Sequence, residues 1–225
     1  MWMPKNKLKG IRGVIFDFDF TLVDSSKGVV KCVNYALKKL GFAEFPEKEI
    51  TKTIGLTLEH TFTKLLREQH VDKIEKFKYF FIKKADEIME DLTKLFTETS
   101  GIIKKLYDKG FKLGIVSTKF RYRIEAILNR ENLLDFFGVI IGGEDVSTLK
   151  PNPFGLLLAV KKLNLTSSEV IYIGDSIIDA ETANRADISF IAVLSGVTPR
   201  IVFNRYQVRE ILNNISELPN LLCIT

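Results

Sequence analysis

The stretch Gly13-Val14-Ile15-Phe16-Asp17-Phe18-Asp19-Phe20-Thr21 decides how the rest of the chain is read. A short apolar run ends abruptly in two carboxylates spaced i, i+2. The run reads as a strand buried on both faces, and the carboxylates mark its carboxyl end. Side chains at i and i+2 of extended backbone point the same way, so Asp17 and Asp19 are expected to share one patch. Their repulsion favours protonating one of them, and a bound divalent cation removes that cost. Magnesium fits best, being hard, oxygen-seeking and commonly held by one or two carboxylates plus phosphate. Alone, an Asp-x-Asp is a weak signal that also fits a solvated turn.

Four more apolar runs follow downstream. Residues 112–116 end in Ser117, 138–141 in Gly142 and Gly143, 170–173 in Gly174 and Asp175, and 188–193 in Leu194, Ser195 and Gly196. Amphipathic stretches at 101–109, 121–129, 153–163 and 176–186 fit crossover helices. This alternation predicts an α/β protein with a doubly wound, Rossmann-like parallel sheet, whose ligands sit beyond the carboxyl ends of the strands. Asp17, Ser117, Gly142 and Asp175 therefore gather on one rim. Between about Asp24 and Leu95 the alternation stops. Val29, Val33, Ala36, Leu37 and Leu40 recur at helical spacing, with Gly41 as a stop and Pro46 starting a second, short helix. Leu58, Phe62, Leu65 and Leu66 mark a third helix, and Ile74, Phe77, Phe81, Ala85, Ile88 and Met89 a long fourth. The expected organisation is a catalytic core from residues 1–22 and 96–225, with an inserted α-helical bundle cap at 23–95 lying over the rim as a lid.

The strand ends together hold what a phosphate needs: a metal, a lysine, hydroxyls and backbone donors. Gly174-Asp175-Ser176 with Asp179 adds carboxylates, Ser117-Thr118-Lys119 a hydroxyl and a cation, and Lys150-Pro151-Asn152-Pro153 a lysine in a stiff loop. Taken in order, DFDFT (17–21), GIVSTK (114–119), KPNP (150–153) and GDSIID (174–179) make the chain resemble the haloacid dehalogenase superfamily, in its branch with a small helical cap. The resemblance implies a nucleophilic Asp17 that carries the phosphoryl group as an aspartyl-phosphate, and an Asp19 acting as acid and then base. Magnesium is implied on Asp17, the Asp19 carbonyl and Asp175. Ser117 and Lys150 bind phosphoryl oxygens with Thr118 beside them, Thr21 fixes the first loop, and Asp179 and Ser176 support the site. Asp19 argues against dehalogenation, because a halide leaves without a proton. In two places the chain departs from the family: Phe20 stands where glycine is usual, and Thr118 where asparagine is common. Phe20 is expected to re-route the loop slightly or wall the cap hinge.

The cap loop, residues 53–62, resembles that of phosphoglycolate phosphatases and of related bacterial pyrophosphatases. Hexose-phosphate mutases place an arginine near Leu58, and none stands there. Gly55, His60, Lys119, Arg121 and Phe20 are candidate substrate contacts. His60 fits solvent as well, and Arg121 a solvated helix start. A Mg2+-dependent phosphatase acting on a small phosphorylated metabolite, with phosphoglycolate in front, is the expected activity. An inorganic pyrophosphatase and a catalytically weak binding protein are the alternatives.

Composition sets the outer bounds. The 225 residues are 46% hydrophobic and 27% charged, ordinary for a globular protein with a real core. Lys and Arg outnumber Asp and Glu by 33 to 28, which suits an anionic small substrate and is thin support for nucleic acid. The basic N-terminus lacks a signal-peptide core, and no apolar stretch reaches the length of a membrane span. The two cysteines, Cys32 and Cys223, lack metal or redox spacing and read as small buried hydrophobes. A cytoplasmic protein with reduced thiols is expected, monomer and dimer being left open.

Overall fold

A computed structural model describes Leu8 and residues 10–224; the basic N-terminal stretch read above falls mostly outside these residues. The elements are β1 (Gly13–Phe16), β2 (Val23–Asp24), α1 (Ser26–Lys39), α2 (Glu47–Thr51), α3 (Leu58–Leu65), α4 (Ile74–Leu92), β3 (Lys94–Leu95) and α5 (Thr99–Asp108). They continue with β4 (Lys112–Val116), α6 (Arg121–Arg130), β5 (Phe137–Ile141), α7 (Phe154–Lys162), β6 (Val170–Gly174), α8 (Ile177–Arg185), β7 (Ser189–Val193), β8 (Glu210–Leu212) and α9 (Leu218–Leu221).

Six strands form one parallel sheet in the order β5-β4-β1-β6-β7-β8. The chain winds from β1 to β4 and β5 on one side, then from β6 to β7 and β8 on the other, so strand order reverses around β1. A crevice opens beyond the strand ends at such a reversal. Alternate strand residues feed two cores. Val14, Phe16, Ile115 and Ile173 pack with α5, α6 and α9, whereas Ile15, Val116 and Tyr172 pack with α7 and α8. The strand β8, absent from the sequence reading, has three residues and no apolar run.

Between β2 and β3 the chain builds its own hydrophobic cluster from α1–α4. Its main seam is the antiparallel pair α1 and α4, in which Cys32, Val33, Ala36 and Leu37 face Phe77, Phe81, Ala85 and Met89. Gly28 permits that approach, since a Cβ there would lie 2.7 Å from the Met89 Sδ. Helix α1 stops as expected at Gly41, whose φ of +82° suits glycine. Gly41 N donates to Lys38 O and Phe42 N to Leu37 O, which satisfies two helix-end carbonyls. One expectation needs correcting here: the segment from Asp24 to Leu95 is not free of strand. Its edges pair antiparallel, Val23 with Leu95 and Asp24 with Lys94. Two-residue strands are too short to carry a periodic signal. A second correction concerns Cys223, which is exposed near the chain end, while Cys32 is buried.

Side chains of α6 tie the inserted helices down. Arg123 Nη2 lies 2.6 Å from Asp86 Oδ1, and Arg130 donates to the carbonyls of Glu90 and Thr93. Thr118 Oγ1 reaches Gly55 O at 3.4 Å. Among the described residues no helix is long and apolar enough to cross a membrane.

Candidate active site

Asp17 stands one residue past β1, in the middle of the sheet, with its amide donating to Ile173 O of β6. A tight loop follows. The Phe18 carbonyl accepts from the amides of Thr21, Leu22 and Val23, and Phe20 N donates to Val23 O at 2.7 Å. This turn needs a left-handed residue, and Phe20 supplies it with φ 60°. Holding a non-glycine residue there costs about 1–2 kcal/mol. Phe20 takes the backbone shape that glycine adopts freely, is almost fully buried, and accepts a 2.6 Å hydrogen bond from Ser195 Oγ at its carbonyl. It does not line the cavity described below.

Lys150 brings the distant segments together. Its Nζ lies 2.7 Å from Asp17 Oδ1, 2.6 Å from Asp179 Oδ1 and 3.0 Å from Tyr172 Oη. An ammonium has three donors, and these contacts use all of them. Asp179 is fixed from its other side. As the third residue of α8 it closes a capping box with Ser176, whose hydroxyl lies 2.5 Å from Asp179 Oδ2. A helix cap thus doubles as the anchor of the site lysine. Tyr172, a strand residue in the sequence reading, belongs to this cluster too, 2.9 Å from Asp179 Oδ1 and 3.1 Å from Val116 O. A lone hydroxyl inside an otherwise apolar strand was the available signal, since a buried phenol needs partners.

Asp17, Asp175 and Asp179 are all buried, and each offers an oxygen within 4.8 Å of the others. Asp175 has no ion-pair partner among the described residues. Gly196 makes room for its carboxylate, since a Cβ there would lie 1.8 Å from Asp175 Oδ2. Burial, opposed by Lys150 and reinforced by Asp179, pushes the Asp17 carboxyl up to about 7. Burial and then the charges of Asp179 and Asp17 raise Asp175 well above the carboxylate range. Burial works against the charge on Lys150, but Asp17 and Asp179 outweigh it and hold the ammonium well above its usual value. Crowded hard oxygen donors with an excess of negative charge fit a small divalent cation.

The carboxylate of Asp19 is not one of that group. Asp19 Oδ1 sits 3.2 Å from Lys119 Nζ, both side chains nearly buried, without hydrogen-bond alignment, and remains near enough for its charge to act on Asp17. Thr21 Oγ1 is buried without a partner, and Ser117 Oγ accepts from Lys119 N at 3.3 Å. Above Asp19 lies a cavity of about 240 Å3 between the core and the inserted helices; Gly55, Thr118 and Lys119 are among its walls. His60 and Arg121 are not. His60 is exposed in the first turn of α3. Arg121 faces solvent, its guanidinium bonded to Asp145 and Glu125. Sequence reasoning missed Lys78 and Arg123, which do line the cavity.

A carboxylate at a strand end thus faces a lysine and two further carboxylates, and most of the chain around them is similar to known proteins. The sequence profile of the haloacid dehalogenase-like hydrolases fits residues 14–193, and the chain belongs to that family. The phosphoglycolate phosphatase of Salmonella typhi is 31% identical over 202 residues, 80% of each chain. That of Escherichia coli strain K12 is 28% identical over 234 residues, covering 95% of this chain and 93% of its own. The crystal structure of a haloacid dehalogenase-like hydrolase from Bacteroides fragilis superposes with a TM-score of 0.89 at 41% identity, covering 92% of this chain and 99% of that one.

Proposed function

We propose that the protein is a Mg2+-dependent phosphatase that hydrolyses a small phosphate monoester through an aspartyl-phosphate on Asp17, with residues 23–95 serving as the cap over a core of 1–22 and 96–225. The observation that carries this reading is the convergence of Asp17, Lys150, Asp175 and Asp179, which come from three separate parts of the chain. Asp17, Asp175 and the Asp19 carbonyl would hold the cation, which when bound offsets negative charge on the transferring group. Lys150 holds Asp17 Oδ1 and leaves the other oxygen to attack phosphorus. As the Asp17–phosphorus bond forms, the ester P–O bond breaks, and Asp19 gives its proton to the departing oxygen. Asp19, now a carboxylate, takes a proton from water as that water attacks phosphorus; Asp17 and inorganic phosphate are released. Ser117, just past β4, and Thr21 offer hydroxyls to the phosphoryl oxygens, with Thr118 beside them.

The names of the curated relatives make phosphoglycolate the first ester to assay, and pyrophosphate tests the alternative from the cap loop. The experiment is phosphate release from a panel of esters with and without magnesium, using Asp17→Asn as background. Magnesium-dependent release by the wild type alone supports the reading. Release that is equal in both proteins, or none, overturns it.

A further inference from the structure

From the cavity above Asp19 we infer the class of leaving group: an uncharged, largely apolar body about the size of a ring. This deepens the phosphatase reading and rests on it, while departing from phosphoglycolate as the preferred ester. Val29, Val33, Leu58, Phe81, Ile82 and Phe120 are among its apolar walls. At about 240 Å3 the space exceeds the ~150 Å3 that accepts a benzene ring in a protein interior.

Most of the polar side chains on the wall have partners within the chain, Asp19 Oδ1 being without a hydrogen bond. Three cations face the cavity, and each is paired. Lys78 Nζ lies 2.7 Å from Glu59 and 3.1 Å from Glu75, Lys119 Nζ 3.2 Å from Asp19, and Arg123 Nη2 2.6 Å from Asp86. Four carboxylates thus face three cations. Three threonine hydroxyls use their donors within the chain, Thr53 to Ile50 O, Thr61 to Thr53 O and Thr118 to Gly55 O, while Thr57 Oγ1 accepts from His60 N as the cap of α3. A carboxylate on the leaving group would compete with Glu59 for Lys78 and with Asp86 for Arg123, and of the three wall cations it would find only Lys119 released, while Asp19 carries the proton it donates. An apolar group finds matching walls.

The test compares benzyl phosphate with phosphoglycolate, two alkyl esters that differ in an apolar against an anionic leaving group. In magnesium, kcat/KM for benzyl phosphate is expected to exceed that for phosphoglycolate by about tenfold or more. Two variants probe the cause: Ile54→Lys adds an unpaired cation on the cavity-lining loop, and Glu59→Gln removes a carboxylate. Each is expected to shift the ratio toward phosphoglycolate by about tenfold, with thermal melting checking the fold. Equal or better turnover of phosphoglycolate by the wild type overturns the inference and leaves the phosphatase reading standing. So does an unchanged ratio in folded variants. If neither these esters nor any other of the panel yields phosphate above the Asp17→Asn background, the phosphatase reading falls and the inference with it. Should both variants unfold, the wild-type ratio alone decides.

Discussion

Replacing Asp17 by Asn, the change that should abolish turnover, is expected to stabilise the metal-free protein at alkaline pH. The Asp17 carboxyl is pushed from 3.8 to about 7 in the folded state, chiefly by burial. In the unfolded chain it returns to its ordinary value. Between about pH 4 and 7 the folded protein therefore holds a proton that the unfolded chain has lost, so stability falls as pH rises through that window. Moving a carboxyl from 3.8 to about 7 corresponds to about 4 kcal/mol, fully expressed above pH 7. Asparagine keeps the shape of the protonated acid and carries no charge at any pH. Thermal unfolding in a chelator should find Asp17→Asn and wild type alike near pH 4, with the variant ahead by on the order of 10 °C at pH 8, at about 2–4 °C per kcal/mol for a chain of this size. Adding magnesium should close the gap by raising the wild type, because the cation needs the deprotonated carboxylates. A variant less stable than wild type at pH 8 without metal, or a gap that does not change with pH, would refute the electrostatic reasoning.

Other perturbations have equally definite outcomes. Tyr172→Phe takes a hydroxyl from Lys150, Asp179 and the Val116 carbonyl, and should cost about 1–3 kcal/mol in urea unfolding together with a drop in kcat/KM. Gly196→Ala puts a methyl group 1.8 Å from Asp175 Oδ2 and should weaken magnesium binding by about tenfold or more in calorimetry, with little change in the fold. Burial pushes the Cys32 thiol up to about 12, whereas Cys223 is exposed, so Ellman's reagent at pH 8 should titrate one thiol in the native protein and two after unfolding.

The sheet was legible because its strands are apolar runs that each end at a glycine, a hydroxyl or a carboxylate, and a buried parallel strand has no other way to be written. The inserted helices were legible from the spacing of Val33, Leu37, Phe77 and Phe81. Pieces too short for a period were not: β2 and β3 are held by pairing to each other, and β8 by pairing to β7. In the site, the motif positions around Asp17, Lys150, Asp175 and Asp179 converge as their order suggested. Which charge meets which was not readable. Lys119 turned to Asp19, and Arg121 to Asp145 at the surface, because those choices depend on side-chain reach across the strand ends. Phe20 shows the limit of a residue-type rule: the loop demands a positive φ, and a phenylalanine held by the Ser195 contact and burial accepts it.

The central claim is that Asp17 itself carries the phosphoryl group. The most direct test is rapid acid quench of Asp19→Asn mixed with p-nitrophenyl phosphate, whose leaving group departs without a proton, in magnesium, followed by peptide mass spectrometry. A phosphoryl adduct on the peptide bearing Asp17, absent without magnesium, is the predicted result. Phosphate release with no adduct at Asp17, or an adduct on another residue, would contradict it.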